Sequence, residues 1–307
     1  MRHLVVLLLI GSLLSVGAPE AEATFPGGNG RIAFYTDAPH FPINVFTIGP
    51  TGGDRKQLTT RGANFAPSWS ADGSMIAFGH HRHGHPVKLE TMSADGSGKT
   101  VVMDQPPNRY LDFEDFSWSP DGSQIAFCAL SRRFHLDLFV VHSDGTSLTK
   151  IANGACDPSW SPLGASIAVT SFDPNLVVLG IDTMAPDGTG RSTLTSSDRD
   201  VSPDWSPDAS TLVFSHRFHH HQSDLFLIGA DGNGRTRLTE SRRRSEILPA
   251  FSPDGTRIAF SSHPRKPNPR TFLFNDDLFT IGIDGTGRTR LTDSRHIDEV
   301  DPSWQPV

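Results

Sequence analysis

The sequence is poor in cysteine, with only Cys128 and Cys156 among its 307 residues. Two thiols can form at most one disulfide, so cross-links cannot be what holds a chain of this length together. In an exported protein the two could pair, whereas Cys156, four residues before a repeated tryptophan, could equally be a small core residue. The sequence leaves both interpretations open.

The chain also lacks an excess of positive charge. Its 27 Lys and Arg are outnumbered by 34 Asp and Glu, which gives a formal net charge of -7. A general nucleic-acid binder carries the opposite balance, so we expect no nucleic-acid partner.

Long apolar runs that could anchor the chain in a membrane are missing. The stretch Leu4 to Leu14 is shorter than the ~20 residues that a membrane-spanning helix needs. With Arg2 before it and Ala21-Glu22-Ala23 behind it, this stretch predicts a cleavable export signal over residues 1–23. We therefore expect a secreted or periplasmic protein without a permanent membrane anchor, cleaved after Ala23, with a single mature domain over residues 24–307.

What the chain does contain is one phrase that recurs along its length. It reads PSWSADGSMIAF at 67–78 and PAFSPDGTRIAF at 249–260, and each copy has an aromatic anchor. The anchors, spaced 42 to 53 residues apart, are Trp69, Trp118, Trp160, Trp205, Phe251 and Trp304. Such a repeat is one supersecondary unit that buries its apolar face against its neighbours, and the spacing is typical of four-stranded propeller blades.

Each copy predicts four strands separated by tight turns. In the copy at Phe251, residues 249–252 and 257–261 flank a Pro-Asp-Gly turn, and two more strands follow at 277–281 and 288–291. Residues 30–59 supply three strands that lack a first, and the last six residues supply a first strand alone. We therefore predict an all-β, six-bladed propeller with four antiparallel strands per blade, closed by pairing of the N-terminal strands with the C-terminal strand.

The phrases W-S-P-D-G-x-x-I-A-F, D-L-F-x-I-x-x-D-G and R-L-T resemble the Trp-Ser-Pro-Asp-Gly repeats of TolB-type β-propellers, over essentially all of the mature chain. TolB itself has an additional N-terminal domain and works with the peptidoglycan-associated lipoprotein at the central opening of its propeller. This chain passes from the predicted signal almost directly into strands. The resemblance therefore implies a stand-alone propeller with a protein or peptide partner in the cell envelope or extracellular space.

Function is expected where the copies differ, in the loops opposite the Asp-Gly turns. First strands line the channel of a propeller, so acidic residues around their starts are predicted to collect at its mouth. We predict that this acidic mouth binds a basic segment of a partner. Its residues are Asp112, Glu114, Asp115, Asp157, Asp200, Glu246, Asp298 and Glu299.

Two other interpretations of this face stay open. The carboxylates could hold calcium in the channel, or could serve a carbohydrate-active enzyme, a lyase or glycosidase, through Asp157 or Asp200. The absence of a G-x-S-x-G motif argues against a serine hydrolase. The pattern favours a monomeric, non-enzymatic module without a cofactor, and no catalytic residue is assigned. Weaker candidates for a metal site are His81, His83, His219 and His221.

Overall fold

The computed structural model describes residues 25–37, 42–104, 110–218, 222–264, 275–294 and 297–307, without the side chains of Leu111, Asp112 and Glu114. The predicted export signal over residues 1–23 lies outside the described residues. Across the described ranges the chain forms strands and turns, and no helix there is long and apolar enough to cross a membrane.

The strands of the first half are β1 (Asn29–Asp37), β2 (Asn44–Ile48), β3 (Lys56–Gln57), β4 (Ala63–Trp69), β5 (Met75–His81), β6 (Lys88–Ser93), β7 (Thr100–Asp104), β8 (Tyr110–Trp118), β9 (Gln124–Ser131), β10 (Leu136–His142), β11 (Thr149–Asn153) and β12 (Ala155–Trp160). Those of the second half are β13 (Ile167–Phe172), β14 (Val178–Met184), β15 (Ser192–Thr195), β16 (Asp200–Trp205), β17 (Thr211–Phe218), β18 (Gln222–Gly229), β19 (Thr236–Arg237), β20 (Arg244–Phe251), β21 (Arg257–Pro264), β22 (Asp277–Gly282), β23 (Thr289–Arg290) and β24 (Asp298–Pro306).

These strands form six antiparallel sheets of four strands, and each sheet is one blade. Blade 1 contains β4 to β7, blade 2 β8 to β11, blade 3 β12 to β15, blade 4 β16 to β19 and blade 5 β20 to β23. Blade 6 has the strand order β24, β1, β2, β3. The predicted all-β, six-bladed propeller is therefore confirmed.

Blade 6 closes the ring with strands from both ends of the chain. The last strand pairs with the first, with Ile32 opposite Trp304 and Thr36 opposite Glu299. The Val307 N–H then donates to the Gly28 carbonyl at 3.1 Å, which continues the pairing to the C-terminus. Closure of this kind leaves no blade face exposed, as predicted from the incomplete copies at the two ends.

The turns between first and second strands explain why Ser and Asp recur after each anchor. In blade 4 the Asp208 carboxylate accepts hydrogen bonds from the Ser206 and Ser210 hydroxyls and from the Ser210 N–H, at 2.6 to 3.0 Å. Blades 1, 2 and 5 repeat these contacts. An Asp side chain that bonds the backbone two residues ahead stabilises a tight turn, so this part of the repeat specifies a hairpin locally.

Neighbouring blades are joined through their first strands. At four of the six junctions, the side chain before an anchor accepts a hydrogen bond from the backbone N–H of the next blade's anchor. The pairs are Ser303 with Trp69 at 3.2 Å, Ser117 with Trp160 at 2.9 Å, Ser159 with Trp205 at 3.2 Å and Asp204 with Phe251 at 2.7 Å.

The ring has two faces that differ in their connections. We call the side with the turns between first and second and between third and fourth strands the turn face. The opposite side, where second strands end and first strands begin, is the loop face. The predicted functional residues belong to strand ends and loops of the loop face.

Candidate functional site

The carboxylates predicted at the channel mouth are buried, not displayed on an open rim. Asp115 is 2% exposed, and Asp298 alone among those described is partly exposed. The side chains of Asp112 and Glu114 lie outside the described residues. The residues with no exposed surface are Asp157, Asp200, Glu246 and Glu299. These carboxylates therefore lie beneath the surface and not on an open rim, and their predicted roles in binding or catalysis stay predictions.

Three of the buried carboxylates are bound by arginines that cross their own blade. In blade 5, Arg288 comes from the start of the fourth strand, stacks over Phe279 and Phe260 at 4.6 and 5.3 Å, and pairs with Glu246. Arg55 reaches Glu299 in blade 6 in the same way, over two stacked phenylalanines. Each arginine neutralises a carboxylate that burial would otherwise destabilise.

Blade 4 adds a histidine to this arrangement. Asp200 accepts hydrogen bonds from Arg235 at 2.6 and 2.9 Å, and its Oδ1 lies 2.6 Å from His216 Nδ1. Arg235 also stacks over Phe214 and Phe226 at 5.0 and 4.9 Å. Burial favours the neutral acid, but the hydrogen bonds from His216 and Arg235 outweigh it and lower the pKa of Asp200.

A second set of buried groups lies closer to the axis. The residue three before each anchor has a left-handed backbone, with φ between 50° and 61°, and a register shift interrupts each first strand there. Asp157, in blade 3, accepts a hydrogen bond from Thr170 at 2.5 Å and contacts Asp115 of blade 2. Burial raises the pKa of Asp157 to about 7, although Thr170 and the Arg217 charge oppose this shift.

Cys128 and Cys156 form a disulfide that joins blade 2 to blade 3, with Cα atoms 4.9 Å apart. This settles the question that the sequence leaves open. Asp115 Oδ2 lies 3.0 Å from Cys156 Sγ. The three residues are the one group of potential metal ligands within 4.8 Å of one another in the described part of the chain. Both sulfurs are already in the disulfide, so the group does not have the thiolates of a metal site.

The histidines suggested for a metal site do not converge among the described residues. His81 and His83 belong to no group of three potential ligands there, and His219 and His221 lie outside the described residues. The neighbouring His80 contacts Asn64 through its Nδ1 at 2.8 Å, and burial lowers its pKa. Metal binding by the loops, including calcium in the channel, stays a prediction.

Asp298 belongs to an acidic group at the junction of blades 5 and 6. Its Oδ1 accepts the Asp276 N–H at 3.0 Å, and Asp37 is its strand partner. Burial raises the pKa of Asp276 to about 7, and burial together with the Asp276 charge raises that of Asp298 to about 7. Sequence analysis missed Asp276, because nothing local shows that it packs against the last strand.

Among the described residues, most exposed charged groups of the loop face without an ion pair are basic, and the predicted acidic mouth stays a prediction. Asp37 and the partly exposed Asp298 are acidic, but other exposed carboxylates of this face lie within 4.0 Å of a Lys or Arg. Several exposed arginines of this face form no ion pair with a described residue. They are Arg61, Arg82, Arg132, Arg133 and Arg243.

The turn face carries the opposite charge. Its turns expose ten aspartates, and hydrogen bonds from nearby hydroxyls or backbone N–H groups lower the pKa of most of them, such as Asp72 and Asp284. They are Asp54, Asp72, Asp95, Asp121, Asp144, Asp187, Asp208, Asp231, Asp254 and Asp284. Among the described residues, exposed carboxylates are therefore more numerous on the turn face than on the loop face.

A cleft of about 500 Å³ also opens on the turn face between blades 2 and 3. It is lined by Pro120, Pro162, Pro186 and the edge of Trp160, and Leu163 beside it is 75% exposed. Leu163 occupies the position where other turns carry their capping Asp, so the cleft marks a blade that departs from the repeat.

The fold and these sites define a six-bladed β-propeller, and comparison with known proteins narrows the class. Residues 155–275 match the family described as the TolB beta propeller domain. A protein TolB homolog of Chlorobium luteolum is 33% identical over 48% of this chain and 31% of its own length. One of Chlorobaculum tepidum is 29% identical over 64% of this chain and 48% of its own length.

Solved structures agree with this assignment. TolB from Acinetobacter baumannii superimposes with a TM-score of 0.74 at 19% identity, over 91% of this chain and 67% of that chain. An oligogalacturonate lyase in complex with manganese has a TM-score of 0.58 at 14% identity, over 87% and 77% of the two chains. At such identities the likeness concerns the fold alone. The chain therefore has the propeller fold of these structures, and over residues 155–275 it is similar to the TolB beta propeller domain.

Proposed function

We propose that this protein is a non-enzymatic binding module of the periplasm or extracellular space, which recognises a protein or peptide partner through its loop face. The TolB-type propeller supports a binding role. The exposed arginines of the loop face that form no ion pair with a described residue support the proposal further, because complementary charge speeds encounter and orients a partner. The partner surface is accordingly acidic.

The buried carboxylates act in this proposal as supports and not as contacts. Asp200, Glu246 and Glu299 hold arginines across three blades, which keeps the starts of the first strands in place. Such a base positions the loops above it, and rigid elements below a binding surface reduce the entropy lost on binding. Asp298 is the predicted residue with the exposure to touch a partner.

Charge reversal on the two faces tests the proposal. Cross-linking capture from envelope and secreted fractions, followed by binding measurements with the purified partner, compares the native protein with an Arg61→Glu, Arg243→Glu variant. The matched control changes Asp187→Lys and Asp231→Lys on the turn face. We expect the loop-face variant to lose roughly tenfold in affinity and the control to bind as the native protein does.

Two results would contradict the proposal. One is a partner whose binding depends on the turn-face aspartates and not on the loop-face arginines. The other is turnover of polysaccharide or glycoside substrates by the purified protein, which would assign it to the enzymes instead.

A further inference from the structure

The tight turns between second and third strands in blades 2 and 3 have unusual residues in their left-handed positions. In blade 2 the Phe134 N–H donates to the Ser131 carbonyl at 2.9 Å, and Phe134 has a φ of 59°. In blade 3 Leu176 takes the same place, with a φ of 64°. The turn of blade 1 uses Gly84 for its left-handed residue, with a φ of 82°.

Neither backbone geometry nor burial explains a phenylalanine at this place. A left-handed conformation is unfavourable for a bulky side chain and costs glycine nothing. The Phe134 side chain regains little by packing, since the residue is 50% exposed. A large apolar side chain held in a strained turn and left in solvent is typical of a contact site.

The corresponding turn of blade 3 also exposes apolar side chains. Val177 and Leu179 are 51% and 50% exposed, and they flank the buried Val178. Val178 packs in the cluster around the Cys128–Cys156 disulfide, and Leu136, two residues after Phe134, packs against the same cluster. Both turns therefore stand on one cross-linked base. We call Phe134, Val177 and Leu179 the seam patch.

Positive charge lies directly beside the seam patch. Arg132 and Arg133 precede Phe134, are exposed and form no ion pair with a described residue. The nearest carboxylate of the adjoining turn, Asp173, is occupied by the N–H groups of Asn175 and Val177 at 2.7 and 2.9 Å. The arginines are thus available to a partner, and a guanidinium binds a carboxylate in a bidentate geometry.

We infer that the seam patch, with Arg132 and Arg133, docks an acidic segment of a partner protein that inserts an apolar side chain beside Phe134. The inference rests on the proposed function and adds the site and the chemistry of the segment. Aromatic and arginine side chains are the usual anchors of binding hot spots. Charge complementarity selects an acidic segment, and the rigid, cross-linked base suits a defined protein contact better than a lipid surface.

Direct binding of defined probes tests the inference on the full mature protein with its disulfide intact. The probes are a labelled peptide of alternating glutamate and leucine, its lysine and leucine counterpart, and vesicles of anionic or neutral phospholipid. We expect the acidic peptide alone to bind, with an affinity that falls as salt rises. Arg132→Glu with Arg133→Glu should weaken it roughly tenfold, whereas Lys56→Glu, at an exposed position in the fourth strand of blade 6, should leave it unchanged.

Phe134→Gly separates a contact role from a structural one. Glycine relieves the left-handed backbone, so the melting temperature should stay the same or rise while affinity for the acidic peptide falls roughly tenfold. A lower melting temperature together with weaker binding would assign Phe134 to the fold and overturn the inference. So would unchanged binding by the arginine variant, or vesicle binding that requires Arg132 and Arg133.

A failure here is distinguishable from a failure of the proposed function. If a purified partner binds and its cross-links map to loop-face residues outside blades 2 and 3, with full affinity retained by the Phe134→Gly variant, the inference is overturned and the proposed function stands.

Discussion

The two halves of the ring stabilise the same positions with different chemistry. Blades 4, 5 and 6 place a carboxylate five residues before the anchor and an arginine at the start of the fourth strand, with two stacked phenylalanines between them. The pairs are Asp200 with Arg235, Glu246 with Arg288 and Glu299 with Arg55.

Blades 1, 2 and 3 have no such pair at these positions. Blade 2 has Phe113 and Leu148 there, and Phe113 packs against Phe127 at 5.5 Å in a large apolar cluster. In blade 3 Ala155 removes the carboxylate, and Arg191 turns to Asp182 at 2.7 Å. Blade 1 has Asn64 and Lys99.

The difference shows that, within each blade, the residue five before the anchor and the residue at the start of the fourth strand are matched to each other. At the position five residues before the anchor, a carboxylate appears only with a fourth-strand arginine that reaches it, since a buried charge without a partner is strongly destabilising. Where the first strand has an apolar side chain, the outer strand does not supply an arginine to that position. The disulfide between blades 2 and 3 adds a covalent bond in the half that lacks the charged pairs.

The largest loss of stability should follow from breaking the Glu246–Arg288 ion pair in blade 5. Arg288→Ala leaves Glu246, which has no exposed surface, without its cation. Removal of one partner of a buried pair costs about 3–5 kcal/mol, and because the Arg288 side chain is 31% exposed we expect the lower end of this range. Urea unfolding measures the loss.

The matched control gives blade 5 the apolar residue pair that blade 2 has at these two positions. Glu246→Phe with Arg288→Leu removes both charges and should destabilise the protein by only about 1 kcal/mol. In a double-mutant cycle, this loss should be smaller than the sum of the losses from the two single variants. A double variant as unstable as Arg288→Ala would mean that the two halves are not interchangeable solutions.

The second largest loss of stability should follow from removing the disulfide between blades 2 and 3. Cys128→Ser with Cys156→Val replaces the two cysteines by the residues at the equivalent positions of blade 4, Ser215 and Val201, which are strand partners there. Loss of a disulfide with a sequence separation of 28 should cost about 3 kcal/mol, partly offset by packing of the valine. Thermal unfolding with and without reductant measures this, and the reductant should affect the native protein alone.

A smaller change in stability, which depends on pH, is expected at the junction of blades 5 and 6. Burial raises the pKa of Asp276 to about 7, above its unfolded value near 3.8, so the folded state retains a proton that the unfolded state releases. This contribution to stability is complete below about pH 4 and is lost as the pH rises through 7. Asp276→Asn should therefore stabilise the protein at pH 8 by about 1 kcal/mol relative to the native chain, and less at pH 5.

The control for this pH effect is Asp284→Asn on the turn face. Hydrogen bonds from Thr286 lower the pKa of Asp284, so its contribution is present at neutral pH and is lost only in acid. The difference in the free energy of unfolding between the Asp284→Asn variant and the native protein should be the same at pH 5 and pH 8. An equal change for Asp276→Asn would show that its carboxyl does not titrate in this window.

The smallest effect should be a gain in blade 3. Leu163→Asp restores the capping carboxylate of the other turns and removes a side chain that is 75% exposed. We expect about 0.5 kcal/mol of stabilisation from the new hydrogen bonds to the Ser161 hydroxyl and the Ala165 N–H. Differential scanning calorimetry would reveal it, with Leu163→Ala as the variant that removes the apolar group without adding a cap.

The fold was predictable because its signals are local and repeated. The Asp208 turn forms with residues two positions away, and the same contacts recur in other blades, so each copy confirms the others. Ring closure followed from the missing first strand of blade 6, because a propeller with an incomplete blade would expose one blade face. The pairing of Ile32 with Trp304 confirms it.

The candidate site was less predictable, because the burial of a side chain depends on residues that are distant in the sequence. Glu246 and Arg288 are 42 residues apart, and nothing local in either segment indicates that they pair. The signal was nevertheless present, since an acid before the anchor and an arginine in the fourth strand occur together in three copies. Comparing the copies position by position would have found it.

The sequence by itself determined the blade, the number of blades and the way in which the ring closes, since hairpin turns and alternating strands depend on residues close in the chain. Only the tertiary structure decided which charges face solvent, because a long arginine can cross a blade and withdraw a carboxylate from the surface. It also decided that Cys128 and Cys156 are bonded, since the 4.9 Å between their Cα atoms depends on how two blades pack.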